Sequence, residues 1–344
     1  MLRLPHFDYH RPSSVSEAMS ILADQAPVAR VVAGGTDLWP NMKRRHQQAA
    51  TVISLMAIPE LRFITTEPDS LEVRIGATTT LDILHKNEII RSHFPALARA
   101  IGSISSPPLR NMGTIGGNLC LDTRCTYYNQ TEGWRRSIDY CMKEAGSICW
   151  VAPSSPRCWA HTASDSAPIL SALGARVRLQ SKSSDRTLPV SELFLDDGIE
   201  YLAKRPDELL TEIFIPIESS SAHCRSSFWK LRRRGSIDFA VLSVAAAAWF
   251  DDNDRVTKAS LYLGAVGSHP LSVPDLDTLL VGKPLTEESI DEVAKRARRL
   301  ATPMDNTDFK AQWRGAMAER YTQATWREIA GLDPGLMSPN HLMS

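Results

Sequence analysis

The 344-residue sequence has no excess of charge of either sign: 39 Lys and Arg stand against 39 Asp and Glu. That balance argues against a global basic field for nucleic acid and against an acidic solvating tail. Glycine and proline are modest, 18 and 21 residues, too few for a collagenous or low-complexity chain. Long apolar runs are missing. The longest, Val241 to Phe250, is ten residues and Ala-rich, far short of the roughly 18 that a membrane span needs, so it is expected inside a core. The opening MLRLPHFDYHRP carries no apolar signal region and no cleavage site, which makes the cytoplasm the expected compartment, with no membrane and no nucleic-acid partner. Disulfides are rare there, and clustered cysteines more often hold metals or do redox work. Hydrophobic residues at 43% and charged residues at 23% suit a globular chain of roughly two domains.

The cysteines are unevenly placed. Five of the six, Cys120, Cys125, Cys141, Cys149 and Cys158, fall within 39 residues, and Cys224 stands apart. The same stretch holds Trp134, Trp150, Trp159, Tyr127 and Tyr128. Its Gly and Pro residues interrupt any long periodic pattern, so it reads as a loop-rich segment organised by something other than an apolar stripe. It has no C-x2-C knuckle of the usual zinc kind. An iron–sulfur cluster needs four thiolates and tolerates wide spacing. Spacing alone leaves zinc, an iron–sulfur cluster and buried free thiols open.

Ser14-x-x-Glu17 is a capping-box pattern, followed by Val15, Ala18, Met19 and Leu22 on one helical face. Arg30 to Ala33 reads as a short strand running into Gly34-Gly35-Thr36-Asp37, and Val52 to Leu55 as another. Leu71, Val73 and Ile75 alternate with Glu72 and Arg74 as a half-buried strand. A helix is expected near Leu81 and another over 92–101, with Leu97, Ala98 and Ile101 on one side. Ile169 to Gly174 reads as a short helix, Val177 and Leu179 as strand, and Ile213 to Ile215 as the strand closing the region. Glu218 to Ala222 is the linker candidate. Beyond it, Val241–Phe250 and Ala259–Val266 flank an Asp251–Asp254 turn, an antiparallel hairpin pattern. Two helices follow, one with Ile290, Val293, Ala294 and Ala297 on a face, the other with Trp313, Met317, Tyr321 and Ala324.

Two glycine segments are suited to phosphate, Ala33 to Leu38 and Gly113 to Asn118, because glycine lets a backbone approach a ligand and aim N–H groups at it. Neither matches G-x-G-x-x-G or G-x-x-x-x-G-K-[ST], so a Rossmann site and a P-loop are both unsupported. Each alone is more often an ordinary tight turn than a ligand site. Together, beside a cysteine cluster, they point to a nucleotide-type redox cofactor.

Taken in order, VVAGGTDL, RIGATTTL, TIGGNLC and Ser164-Asp165-Ser166-Ala167-Pro168 before ALGA resemble the FAD-binding subunits of molybdenum hydroxylases, the xanthine dehydrogenase and carbon monoxide dehydrogenase family, over roughly residues 3–330. The resemblance implies an α+β architecture: a two-subdomain FAD-binding domain of the vanillyl-alcohol-oxidase (PCMH) type over 1–217, then a C-terminal antiparallel sheet-plus-helices domain over 223–330. Most members pass directly from TIGGN to the Asp-Ala-Pro segment. This chain inserts about forty residues there, over 120–160, and LCLDTRCTYYNQTEGWRRSIDYC resembles the corresponding insertion in beta subunits of 4-hydroxybenzoyl-CoA reductases, which binds a [4Fe–4S] cluster. By that resemblance Cys125, Cys141, Cys149 and Cys158 are the ligands, and Cys120 and Cys224 are not. The FAD contacts it implies are Val32, Ala33, Gly34, Gly35, Thr36, Asp37, Leu38 and Trp39 along the pyrophosphate. Thr114, Gly117 and Asn118 are implied along the flavin and ribityl chain, Asp165 at the ribityl or ribose, and Lys230 near the flavin. A solvated strand lysine is the alternative for Lys230, and a solvated edge or interface the reading of Arg232, Arg233 and Arg234. His85, His93, His161 and His269 are read as structural.

The resemblance further implies a relay without acid–base catalysis on this chain. Electrons would pass from reduced ferredoxin to [4Fe–4S], to FAD, then to a small [2Fe–2S] subunit and a large molybdopterin subunit, in a dimer of heterotrimers that dehydroxylates 4-hydroxybenzoyl-CoA. Two alternatives remain open: the FAD subunit of an oxidative molybdenum hydroxylase acting on a purine, N-heterocycle or aldehyde, and a non-catalytic zinc-binding scaffold.

Overall fold

The computed structural model describes residues 2–66, 71–221 and 223–336; Ala222, the end of the expected linker, lies outside them. The described residues build three sheets. The first is parallel, with Thr51–Ser54 between Asp8–His10 and Ala29–Val32. Helix Val15–Gln25 covers it, burying Ala18 and Leu22. Ser14 Oγ accepts the Glu17 N–H at 3.2 Å, as the capping pattern requires. The Glu17 carboxylate reaches one residue further back than a capping box would place it, to the Ser13 N–H at 2.8 Å.

The second sheet has five antiparallel strands in the order Ile64–Thr66, Glu72–Gly76, Leu209–Pro216, Arg176–Gln180, Asp185–Pro189. Short helices pack on it. The helix expected over 92–101 is two helices, Glu88–His93 and Pro95–Gly102. Pro95 forces the split, because a residue before proline avoids the helical region, and Phe94 sits at φ −133°, ψ 58°.

The third sheet is antiparallel: Leu271–Ser272, Val256–Gly264, Leu242–Phe250, Cys224–Leu231. Its hairpin turns at Asp251–Asp254, as the sequence indicates. The second strand starts earlier than expected, because Val256 pairs with Phe250 across a bulge. Strand Leu242–Phe250 is buried along its whole length, and its alternate residues serve two cores. Ala245, Ala247 and Trp249 join the core shared with the five-stranded sheet, whereas Leu242, Val244, Ala246, Ala248 and Phe250 face the C-terminal helices. This double burial explains the Ala-rich run: small side chains let packed elements approach from both sides.

Helix Glu287–Leu300 buries Ile290, Val293, Ala294 and Ala297 as expected. Helix Ala311–Ile329 is rotated slightly from its expected face: Ala324 is buried and Met317 and Tyr321 pack on the core as expected, but Trp313 is exposed and Arg314 is buried. The Arg314 guanidinium donates to Val241 O at 2.9 Å, to Met304 O at 2.8 Å and to Ala265 O. Pinning three carbonyls offsets its burial, something a hydrophobic pattern does not register. Among the described residues no helix is long and apolar enough to cross a membrane.

Candidate functional site

The strand Ala29–Val32 ends at the first glycine segment. Gly35 has φ +71°, a left-handed conformation that favours glycine. A methyl group on Gly34 would overlap the carbonyl oxygen of Met112, which precedes the second segment. The two loops therefore touch backbone to backbone. In the second, Thr114 Oγ1 accepts the Gly117 N–H at 3.1 Å, and a Cβ on Gly116 would lie 2.8 Å from Ala77 Cβ. Together they line a cavity of about 670 Å³ with Ala77, Ser105, Asp122, Tyr201 and Phe239. Among the described residues the amides of Gly34, Gly35 and Thr36 donate to no protein acceptor. Open amides on a Cβ-free backbone suit a pyrophosphate, and the cavity lies in the size range of cofactor sites. These features fit FAD.

Of the residues assigned to FAD by resemblance, Val32, Ala33, Gly34, Gly35, Thr36, Asp37, Leu38, Thr114, Gly117 and Asn118 line this cavity. Trp39 does not; its ring stacks on Phe7, with centroids 5.7 Å apart. Asp165 and Lys230 also lie outside the lining and pair with each other, Nζ to Oδ2 at 2.6 Å, both almost fully buried. Burial pushes the Asp165 carboxyl up and the Lys230 ammonium down, and each is opposed by the other's charge. Asp165 Oδ1 has no partner among the described residues. The neighbouring Ser164 and Ser166 hydroxyls donate to Asn118 Oδ1 at 2.9 and 2.6 Å, so the pair supports the second loop from behind.

The four insertion cysteines converge. Cys125, Cys141, Cys149 and Cys158, all buried, line one small cavity with Tyr127, Tyr128, Met142, Lys143, Trp150, Val151 and Ala160. Asp139 and Tyr140 at φ 56° and 60° turn the chain into Cys141, and the Trp150 indole N–H clamps Tyr140 O at 2.6 Å. Buried Arg135 ties the segment down through Glu144 and, at 2.7 Å, Arg44 O. A hydrogen bond from the Cys158 thiol pulls Cys149 down to about 5, and the same bond raises Cys158. Burial pushes Cys125 up to about 11 and raises Cys141. Cys120 instead lines the larger cavity, and Cys224 packs at the sheet edge.

The space between the four thiols is about 10 Å³, about one water's worth. No group of three or more His, Cys, Asp or Glu among the described residues is placed to hold a metal ion, and an all-thiol donor set is one that structural zinc and iron–sulfur clusters both use.

Sequence reasoning missed what stands between the two cavities. Arg124, next to Cys125, is buried and pairs with Asp37 of the first loop, also donating to Asn41 Oδ1 at 3.3 Å. Its guanidinium lies 4.8 Å from the Phe239 ring centroid. Lys143 Nζ donates to Asp122 Oδ1 at 2.8 Å, Thr123 Oγ1 at 2.7 Å and Gly198 O at 2.5 Å. The only signal in the sequence is charge beside cysteine, in Asp122-Thr123-Arg124-Cys125 and in Lys143.

His161 lies here too, its backbone paired with Arg124 and its ring bonded through Nδ1 to Thr162 O at 2.8 Å. Burial lowers it from 6.5 to about 4. The unfolded chain therefore takes up a proton near pH 6.5 that the folded chain refuses until about pH 4, so stability falls as pH falls through that window. The loss attributable to His161 is on the order of 3 kcal/mol. Urea unfolding across this range should show it, and His161→Gln should flatten the dependence; an unchanged slope would refute the assignment.

A family profile described as the FAD binding domain in molybdopterin dehydrogenase matches residues 5–218, and one for the CO dehydrogenase flavoprotein C-terminal domain matches 226–329. The chain is similar to the nicotinate dehydrogenase FAD-subunit of Eubacterium barkeri, 29% identical over 287 residues, covering 83% of each chain. It is similar also to the carbon monoxide dehydrogenase medium chain of Hydrogenophaga pseudoflava, 28% identical over 95% of this chain and 99% of that one. The solved carbon monoxide dehydrogenase of that organism, in a form lacking the Mo-pyranopterin moiety, superposes with a TM-score of 0.77 at 26% identity, over 94% and 97% of the two chains.

Proposed function

The chain belongs to the family of FAD-binding domains in molybdopterin dehydrogenases, and on that premise we propose that it is the electron-transferring FAD subunit of an oxidative molybdenum hydroxylase. The substrate class would be an N-heterocycle, purine or other small molecule oxidised on a large molybdopterin subunit, with a small [2Fe–2S] subunit between. The observation that carries this reading is the pair of glycine loops whose open amides line one 670 Å³ cavity. FAD, when bound, supplies a centre that exchanges one or two electrons. The protein's part is to hold and shield it. Amides of Gly34 to Thr36 would hold the pyrophosphate, and Thr114, Gly117 and Asn118 would hold the remainder. The Arg124–Asp37 pair fixes the first loop. The test is purification of the complex: about one FAD per chain and two copurifying subunits are expected, with flavin bleaching by nicotinate or a purine. A flavin-free chain purified alone would overturn it.

The four convergent thiols favour a second, reductive reading. They would hold a [4Fe–4S] cluster, which exchanges single electrons, and the complex would act as a 4-hydroxybenzoyl-CoA reductase with ferredoxin as donor. Cys141→Ser should then strip most of about four iron atoms per chain while FAD stays bound, and the wild-type complex with a low-potential donor should form benzoyl-CoA. Full iron in the variant would refute the ligand set; heterocycle oxidation alone would refute the reductase.

A further inference from the structure

One buried cation–carboxylate pair reaches from the flavin cavity to the thiol cavity: Asp122 lines the first and its partner Lys143 lines the second. The other buried pair, Arg124 with Asp37, stays on the flavin side, beside Phe239. Lys143 and Asp122 are each about 5% exposed. Water screens such a pair little, so its charges act over longer distances than surface charges do. The ammonium also lies 5.0 and 5.4 Å from the ring centroids of Tyr128 and Tyr201, one ring from each cavity.

We propose that the Lys143–Asp122 pair forms a charge layer that sets the difference in reduction potential between the two sites, raising it at the four thiols and lowering it at the flavin. The inference rests on the reading of the thiols as cluster ligands. An added electron makes either site more negative. A cation beside the thiolates makes that cheaper, a carboxylate beside the flavin makes it costlier, and burial amplifies both. Both charges are anchored: Lys143 is held by three acceptors, and Asp122 accepts from Gln47 Nε2 as well, at 3.0 Å. They are positioning residues that act through fixed charge.

The test uses the purified complex with iron analysis and redox titration, following the cluster by electron paramagnetic resonance and the flavin by absorbance. Lys143→Met should keep its iron and lower the cluster midpoint by at least a tenfold change in the one-electron equilibrium constant, about 59 mV. Asp122→Asn should move both midpoints upward, opposite in sign, and Lys143→Arg should restore the wild-type value. Loosened structure would move the first two variants alike, whereas a charge layer separates them. Retained iron with unmoved midpoints, or midpoint shifts of the same sign in Lys143→Met and in Asp122→Asn, would overturn the proposal. If Lys143→Met does not accumulate, the near-isosteric Asp122→Asn decides it. Iron-free wild-type protein would overturn the cluster reading itself, an outcome distinct from iron-loaded variants with unmoved midpoints.

Discussion

Gly34→Ala should give a chain that folds but purifies with little or no flavin. The added methyl would meet Met112 O and, beyond that carbonyl, Gly113 N at 2.9 Å. Both are backbone atoms, so no rotamer change relieves the overlap. The two loops must part, at an overpacking cost of about 1–3 kcal/mol, which alone is roughly a ten- to hundredfold loss of affinity. Parting them also turns the open amides of Gly34, Gly35 and Thr36 away from the phosphates they would meet. The flavin-to-protein absorbance ratio and calorimetric titration of the apo-chain with FAD measure the effect. Gly133→Ala is the control, since a Cβ there meets nothing within 4 Å and replaces a helical glycine. Stoichiometric flavin in Gly34→Ala would mean that the contact between the loops does not shape the site.

Much of the site could be read from the sequence because its chemistry is local. A strand that runs into Gly34-Gly35 announces a backbone-lined loop, and five cysteines within 39 residues announce a thiol site before any fold is known. The hairpin around Asp251–Asp254 and the apolar face of Glu287–Leu300 follow from periodicity. What escaped depends on contacts distant in sequence. Lys143 finds Gly198 O across 55 residues, and Asp165 finds Lys230 across 65; each looks like an ordinary charged residue in isolation. The rotated helix face has the same cause, because Arg314 is buried by the three carbonyls it satisfies. Hydrophobic pattern locates elements, but the partners of buried charges are set by packing between elements. That is why the cavities were anticipated and the ion pairs between them were not.

If the four thiols hold a cluster, Gly198→Ala should remove the iron and spare the flavin, and its position outside the insertion makes it the sharper probe of the thiol site. Gly198 lies forty residues beyond Cys158, yet its N–H donates to Cys158 O at 3.0 Å. Its carbonyl accepts from Thr123 Oγ1 at 2.6 Å and from Lys143 Nζ. A Cβ on it would lie 2.6 Å from Cys158 Sγ and 2.8 Å from Ala160 N. The sulfur is the softer obstacle, so the Cys158 side chain must swing away from the other three thiols. Loss of one of four ligands, together with about 1–3 kcal/mol of overpacking, should drop iron from about four atoms per chain to below about one. Gly198 itself does not line the flavin cavity, so flavin content should stay above about half in a protein destabilised on that scale. Cys120→Ser, outside the thiol cavity, should keep both groups. Iron and flavin assays on the same preparations are decisive: if Gly198→Ala retains full iron, Cys158 is not a ligand, and a donor set of three remaining thiols would have to be completed from elsewhere.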